Sequence, residues 1–167
     1  AEIRDEILKA VGATAEEIPF IGELIRVKDS ERDWEYSIER ILHNFALRLV
    51  VPEKYYKQVN EYVNGHNLRG RIVYQRYEGT EPLREFEDRT LKVDSLLRKV
   101  EYKSKCLYLD WLEDRLFAEF NYSCVDSLAD FNHLQEKAVT KEGLIKARGG
   151  KHEKDDRPEI RGKEHYV

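Results

Sequence analysis

Apolar residues recur along this chain with two spacings, one typical of helices and one typical of strands. Positions three and four apart are apolar along five segments, which predicts amphipathic helices. The predicted helices cover residues 1–12, 30–47, 53–65, 106–120 and 127–137. Short apolar runs that end at Pro, Gly or polar residues predict strands between them. The predicted strands cover Phe20–Val27, 47–52, 70–77 and 122–127.

The order of these elements predicts an α/β fold. Strand, helix, strand, helix, strand in the first half favours parallel pairing. A weak internal echo follows, because residues 122–143 again give a strand, a helix and a second strand, and residues 137–147 predict a hairpin with Gly143 near its turn. We therefore predict two related α/β halves with mixed sheets and flanking helices. Residues 93–105 fit either a helix or a strand.

The length of the chain favours one domain over two very small ones. We divide this domain into a first α/β half (1–77), a connecting segment (78–105), a second α/β half (106–148) and a basic exit segment (149–167). A hydrophobic fraction of 41% indicates a folded protein, and 37% charged residues indicate a highly charged surface. The net charge of −4 argues against a protein that coats nucleic acid with its whole surface.

Neither a membrane segment nor a cofactor site is expected from the sequence. No run of about 20 apolar residues is present, so we expect no membrane contact. Cys106 and Cys124 are too few for a disulfide scaffold and lack zinc-site spacing, which favours reduced packing residues in a cytoplasmic protein. Phosphate-binding G-x-x-x-x-G-K-[ST] and nucleophile G-x-S-x-G motifs are missing. We therefore predict no catalytic residue, no cofactor and no enzymatic activity for this chain.

The segment "KHEKDDR" (151–157) is the densest group of chemically reactive side chains. It contains His152, Glu153, Asp155, Asp156 and Arg157. One His with carboxylates could hold Mg²⁺ or Mn²⁺, which would make this segment the site of a metal-dependent hydrolase. The interleaved Lys and Arg favour instead an ion-paired surface segment, or a contact with phosphate or a partner. The prediction for metal ligands is therefore none, with the hydrolase kept as an alternative.

Positive charge collects toward the end of the chain. Residues 137–163 carry nine Lys or Arg against five Asp or Glu, although the whole chain is negative. Such a patch could contact a DNA backbone, with binding that weakens as salt rises. The candidate DNA contacts are Lys146, Arg148, Lys151, Lys154, Arg157, Arg161 and Lys163. A stand-alone DNA-binding module is thus a further alternative.

Tyrosines are frequent in the second part of the first half. Tyr74 and Tyr77 lie on the predicted strand 70–77. Exposed tyrosines are enriched in oligomer interfaces, so these two are candidate interface residues. Gly149 and Gly150 would allow a phosphate or a second chain to approach the backbone closely.

The first half resembles the hinge domain of SMC-type ATPases. The residues that carry the resemblance are Gly22 in "FIGELIRV", "SIERIL" (Ser37–Leu42), the apolar "LVV", and Gly70–Arg71. In the second half, "KAVTKEG" and "RGG" are similar to the strand, turn and glycine-rich close of such hinges. The segments "DWLEDRLFAEFNYSCVD", "AVTKEGLIK" and "KHEKDDRPEI" look more specifically like the SMC-like subunit of Wadjet plasmid-defence systems, the JetC type, related to MukB and MksB.

The resemblance implies a dimerisation hinge rather than a catalyst. Such hinges join two long antiparallel coiled-coil strands and pair with a second subunit, so "AEIRDEILKAV" and "EHYV" would be coiled-coil stubs. It implies a homodimer, with glycine contacts carried over to Gly143, Gly149 and Gly150. The parent would be a DNA-loop-extruding ATPase acting with kleisin, winged-helix and toprim-nuclease subunits. Its expected location is the bacterial cytoplasm, on the nucleoid or a plasmid.

Overall fold

The structure, a computed structural model, describes residues 2–79 and 90–158. Helices and strands alternate through these residues. The helices are α1 (Glu2–Val11), α2 (Glu35–Ala46), α3 (Glu53–Gly65), α4 (Leu109–Phe120) and α5 (Leu128–His133). The strands are β1 (Ile25–Val27), β2 (Leu49–Pro52), β3 (Tyr74–Tyr77), β4 (Val100–Tyr102), β5 (Ser123–Val125), β6 (Ala138–Thr140), β7 (Ile145–Lys146) and β8 (His152–Glu153). Short 3₁₀ segments lie at Ile21–Glu23, Asp29–Trp34, Leu96–Lys99 and Arg148–Gly150.

The strands form three small sheets that mix parallel and antiparallel pairing. β2 pairs with β3 in parallel, and β1 pairs with β4 antiparallel. The third sheet has the order β5-β6-β7-β8, in which β5 and β6 are parallel and the other neighbours are antiparallel. The units β2–α3–β3 and β5–α5–β6 thus repeat one order with one pairing. The predicted α/β class with two related halves and mixed sheets is confirmed.

The chain divides into two compact units, and the first contains the β2–β3 sheet. Among the described residues, unit 1 consists of 2–24 and 44–79. Its core includes Ile7 of α1, which is fully buried against the sheet and α3. Arg4, one turn before Ile7, is also buried and forms two hydrogen bonds with the Glu23 carboxylate, at 2.6 and 3.0 Å. The apolar stripe of α1 is therefore part of this unit's core.

Unit 2 contains the other two sheets. Among the described residues it consists of 25–43 and 90–158. Leu112 and Leu116 of α4 are fully buried, as the amphipathic pattern of this helix predicts. Phe131 of α5 packs on Val125 and Ala138 and is 1% exposed. Ser127 caps α5, because its hydroxyl accepts a hydrogen bond from the Asp130 N–H.

The predicted strand Phe20–Val27 was too long. Only Ile25–Val27 is a strand, and Ile21–Glu23 is a 3₁₀ turn. The Glu23 carboxylate accepts the Phe20 N–H at 2.9 Å, which holds the chain in this turn. β1 then pairs with the distant β4, so it does not extend a parallel sheet with β2 as predicted.

Other boundaries also shift. β3 begins at Tyr74 rather than at residue 70, and α2 begins at Glu35 after a 3₁₀ turn. The ambiguous segment 93–105 is a 3₁₀ turn, Leu96–Lys99, followed by β4. Residues 80–89 of the connecting segment lie outside the described residues, as does the predicted coiled-coil stub "EHYV". The exit segment contains β8, a strand that the apolar pattern does not indicate.

Candidate association site

The described part of the exit segment pairs with the four-stranded sheet of unit 2. Gly149 and Gly150 both have positive φ, 78° and 81°, a region that glycine adopts without strain. The Gly149 N–H donates to the Glu136 carboxylate at 2.9 Å. The tight turn at these glycines lets β8 pair antiparallel with β7, with His152 opposite Lys146. Their conformation therefore serves the reversal of the chain.

The side chains of α2 hold the segment that follows β8. The Tyr36 hydroxyl donates to the Asp156 carboxylate at 2.7 Å and lies 3.2 Å from the Asp155 carbonyl oxygen. The Arg40 guanidinium donates to the Tyr36 hydroxyl at 3.1 Å and to the Arg157 carbonyl at 3.2 Å. Arg40 is stacked over the Tyr36 ring, with 4.7 Å between the guanidinium carbon and the ring centroid. We call this group, Tyr36, Arg40, Asp155, Asp156 and Arg157, the exit latch.

Charge in the exit latch is balanced internally. Hydrogen bonds from the Arg157 guanidinium hold the pKa of the Asp155 carboxyl well below its usual range, and the Arg157 backbone N–H and the charge of Arg40 act in the same direction. Hydrogen bonds from Lys154 and then from Tyr36 lower the pKa of Asp156. Both carboxylates are therefore ionised at neutral pH and already engaged by cations or by a hydroxyl.

This arrangement leaves little for a metal ion in the "KHEKDDR" segment. The Asp155 and Asp156 oxygens are used as above, and His152 Nδ1 lies 2.8 Å from the Gly150 carbonyl oxygen. Within 2–79 and 90–158, no group of three or more His, Cys, Asp or Glu side chains is arranged to hold a metal ion. The geometry therefore supports an ion-paired segment over the hydrolase alternative.

The turn between β6 and β7 is fixed on the same face of α2. The Ser37 hydroxyl lies 2.7 Å from the Thr140 carbonyl oxygen and 2.9 Å from that of Lys141. Gly143, at φ 94°, is buried, and a β-carbon there would come 2.8 Å from Cε2 of Tyr36. Gly143 thus contacts its own chain closely, which accounts for a glycine at this position without a partner.

The predicted DNA contacts lie in different environments. Lys146 is only 6% exposed, and its ammonium donates to the Phe131 and Leu134 carbonyls at 2.8 and 2.6 Å. This position removes Lys146 from any surface patch. Arg161 and Lys163 lie outside the described residues.

The remaining candidates are exposed. Lys154 and Arg157 are paired with Asp156 and Asp155. Arg148 and Lys151 are exposed and have no carboxylate within 4 Å among the described residues. We call Arg148, Lys151 and Lys154 the basic rim. Of the candidates among the described residues, only Lys146 is buried.

The candidate interface tyrosines lie on β3, at the edge of the parallel sheet. The Tyr74 hydroxyl donates to Asn60 at 2.7 Å, and burial raises the pKa of Tyr74. Leu49 donates from its N–H to the Val73 carbonyl. Because bonding alternates along a parallel ladder, the backbone N–H groups of Tyr74 and Arg76 point away from β2. Among the described residues β3 has no second strand partner, so these groups form an open edge.

Within residues 25–43 and 90–158, β8 forms the corresponding edge in unit 2. It pairs with β7 on one side, and both of its residues are exposed. The other end of that sheet is covered, because β5 is bridged by Ser95 and the Cys124 N–H donates to the Asp94 carbonyl. Open edges of this kind are ready to pair with another chain.

Sequence reasoning missed the α2 side of the site. Tyr36 and Arg40 are four residues apart on a helix, a spacing that brings side chains together. That spacing could have indicated a paired tyrosine and arginine, but nothing in the sequence indicates that their partner lies more than 110 residues later.

No protein-family model and no curated protein matches the sequence. Solved structures of hinge domains match the structure of this chain. The hinge domain of the Pyrococcus furiosus SMC protein is 23% identical, with a TM-score of 0.62 over 95% of this chain and 80% of that chain. The S. pombe Smc5/6 hinge domain is 15% identical, with a TM-score of 0.55 over 97% of this chain and 68% of that one. The fold of this chain is therefore that of SMC hinge domains.

Two further structures extend the comparison. The Geobacillus stearothermophilus SMC hinge domain, solved as an asymmetric dimer, is 22% identical, with a TM-score of 0.55 over 96% of this chain and 67% of that chain. The Pyrococcus furiosus hinge with an extended coiled coil is 23% identical, with a TM-score of 0.62 over 93% of this chain. This chain spans about half of that longer one, 55%. In the described residues, no helix is long and apolar enough to cross a membrane.

Proposed function

We propose that this chain is the dimerisation hinge of an SMC-like ATPase. The observation that supports the proposal is the hinge fold. Solved hinge structures match nearly the whole of this chain, 95% and 96% of it in two cases. One of those structures is itself a dimer of hinge domains. Function here is association, so the hinge performs no chemistry and needs no cofactor.

The open strand edges supply the means of association. The outward N–H groups of β3 can be paired by a strand of a second copy. In the proposed homodimer, the β3 edge of one copy pairs with the β8 edge of the other, and two-fold symmetry makes the same contact twice. Tyr77 and Gly149–Gly150 flank these edges, which keeps them as interface candidates. The interface would bury on the order of 1,000–2,000 Å² in total.

The proposal extends to the parent protein. The resemblance of "KHEKDDRPEI" and its neighbouring segments to the Wadjet subunit supports a parent protein that is an SMC-like subunit of a Wadjet-type plasmid-defence complex. Such a parent would be a DNA-loop-extruding ATPase assembled with kleisin, winged-helix and toprim-nuclease subunits. The hinge would join its two coiled-coil strands, with the exit latch holding the outgoing segment against α2.

Within that parent, the basic rim is the proposed DNA contact. Arg148 and Lys151 are exposed and lack acidic partners among the described residues, so they can neutralise phosphates directly. Each lost phosphate contact should reduce the slope of log affinity against log salt by about 1.

Two measurements test the proposal. Light scattering across about 1–100 µM should give the mass of a dimer, in the range where such interfaces bind; a strict monomer would count against the hinge. DNA binding is measured by the fluorescence anisotropy of a labelled duplex at about 50 and 200 mM salt. The affinity should decrease between these two salt concentrations, and the decrease should be largest for the native chain. R148A/K151A should bind more weakly, whereas K28A/K57A, which removes two other exposed charges, should not. Equal affinities of the two variants would refute the basic rim.

A further inference from the structure

Unit 1 contains a cavity that the hinge function does not use. Its volume is about 980 Å³, within the usual size of small-molecule sites. It is lined by residues of α1, of the turn after α2 and of the loop before β3. All of its lining residues belong to unit 1, so the cavity is complete within that unit.

Four arginines line this cavity: Arg4, Arg48, Arg69 and Arg71. Arg4 is paired with Glu23 at 2.6 Å, as Arg76 of β3 is with Glu53. The other three, Arg48, Arg69 and Arg71, have no carboxylate within 4 Å among the described residues. Arg69 and Arg71 are exposed and Arg48 is half-buried, so these three guanidinium groups can bind an anion that enters from solvent.

The local sequence explains why two of these arginines border the cavity. Gly70 separates them, and a β-carbon at Gly70 would lie 2.9 Å from Cδ1 of Ile3 on α1. The missing side chain lets the loop pack against α1. Arg69 has φ 52°, and its N–H donates to the Asn67 side-chain oxygen at 3.0 Å, which holds this conformation. The positions of Arg69 and Arg71 are thus set by the backbone.

The third arginine is placed by packing. Arg48 is half-buried, and its guanidinium carbon lies 5.5 Å from the centroid of the Phe45 ring. Guanidinium groups bind phosphate oxygens through paired N–H donors, which a carboxylate or phosphate matches in geometry. Phosphate carries more charge, and three guanidinium groups suit more than one phosphate group.

The other lining residues restrict the chemical class of ligand that the cavity can bind. Phe20, Leu47 and Ile72 give the cavity apolar wall, which suits a base or another flat organic group. Glu2 and Glu6 on α1 lie on the same lining and repel a polyanion that runs through the cavity. We propose that this cavity binds a free nucleoside diphosphate or triphosphate, with its phosphates on Arg48, Arg69 and Arg71.

Calorimetric titration of the chain tests this proposal. The probes are ADP, ATP, inorganic pyrophosphate, and a 5′-phosphorylated single strand about ten nucleotides long, a typical single-strand site size. We expect ADP and ATP to bind at one site and more tightly than pyrophosphate. The double variant R69N/R71A should weaken binding at least tenfold, and asparagine keeps positive φ accessible at residue 69. Thermal unfolding of this variant should match that of the native chain.

The control variant is K9A/K57A, which removes two exposed charges of unit 1 away from the cavity. It should bind ADP as the native chain does, as should R148A/K151A of the basic rim. Absence of nucleotide binding at millimolar concentration would overturn the proposal. So would an equal loss in R69N/R71A and K9A/K57A, binding of pyrophosphate as tight as that of ADP, or arginine-dependent binding of the oligonucleotide alone. The outcome is independent of the oligomeric state.

Discussion

The ring of Tyr36 lies against Gly143 so closely that a β-carbon at residue 143 would come 2.8 Å from Cε2 of the ring. Real β-carbons do not approach a heavy atom this closely. The contact joins the first turn of α2 to the β6–β7 turn, 107 residues later. It also sets the position of the Tyr36 hydroxyl, which holds the exit segment.

The first prediction concerns this contact. Gly143→Ala should destabilise the fold by roughly 2–3 kcal/mol, because a positive φ costs about 1–2 kcal/mol for alanine and the clash with Tyr36 adds to it. Gly149→Ala is the matched control, since Gly149 also has positive φ but no atom lies within 4 Å of the added carbon. Gly149→Ala should lower the free energy of unfolding only by the cost of the positive φ, about 1–2 kcal/mol. Urea denaturation measures both, and equal losses would contradict the contact with Tyr36.

A second prediction concerns the exit latch. Tyr36→Phe removes the hydroxyl that donates to Asp156 and accepts from Arg40. Loss of these two hydrogen bonds to charged groups should speed local opening by at least about tenfold, which tryptic cleavage after Lys151 and Lys154 would report. Tyr62→Phe is the control, because the Tyr62 hydroxyl has no hydrogen-bond partner among the described residues. Unchanged cleavage in Tyr36→Phe would show that β8 alone holds the segment.

The regular elements could be predicted because their signals are local. β2 is a short apolar run that ends at Pro52, and α3 has helical spacing and ends at Gly65. The hairpin around Gly143 and the cap at Ser127 likewise depend on residues within a few positions of each other. The repeated strand–helix–strand order followed from these elements.

The site could be predicted only in part, because its contacts are distant in sequence. β8 is exposed on both faces, so no alternation of apolar residues marks it as a strand. The charge count includes Arg148 and Lys151, which are exposed, but it could not distinguish them from Lys146, which is buried. The pairing of β1 with β4 depends on the folded arrangement alone, since Val100 lies 73 positions after Val27.

A third prediction follows from the burial of Lys146. Lys146→Met keeps the aliphatic stem but leaves the Phe131 and Leu134 carbonyls without their charged donor. The loss of hydrogen bonds to a charged group should destabilise the fold by about 2–3 kcal/mol. Lys151→Ala, an exposed neighbour on the exit segment, should change stability by less than about 0.5 kcal/mol. Denaturant midpoints compare the two; a neutral Lys146→Met would contradict a structural role.

A fourth prediction concerns acid. The pKa of Asp155 is lowered in the folded chain, first by Arg157, so its contribution to stability is complete above the ordinary carboxyl pKa of about 4. That contribution falls as the pH falls toward the folded pKa. The difference in unfolding midpoint between the native chain and Asp155→Asn should therefore shrink from about pH 5 to about pH 2.

The control for this experiment is Asp130→Asn, an exposed carboxylate in the first turn of α5 that forms no ion pair within the described residues. Its difference from the native chain should be smaller at neutral pH. A constant difference for Asp155→Asn across the acid range would mean that this carboxylate is not held ionised by the exit latch.

The most direct test of the hinge proposal is the oligomeric state of a β3 edge variant. Arg76→Pro removes a backbone N–H that points away from β2, so the β2–β3 ladder is kept while the open edge is blocked. Arg76→Ala loses the same contacts with Glu53 and Tyr56 but keeps the N–H. In sedimentation velocity at micromolar concentration, the native chain and Arg76→Ala should be dimers and Arg76→Pro a monomer. A native chain that sediments as a monomer, or an Arg76→Pro variant as dimeric as Arg76→Ala, would contradict association through this edge.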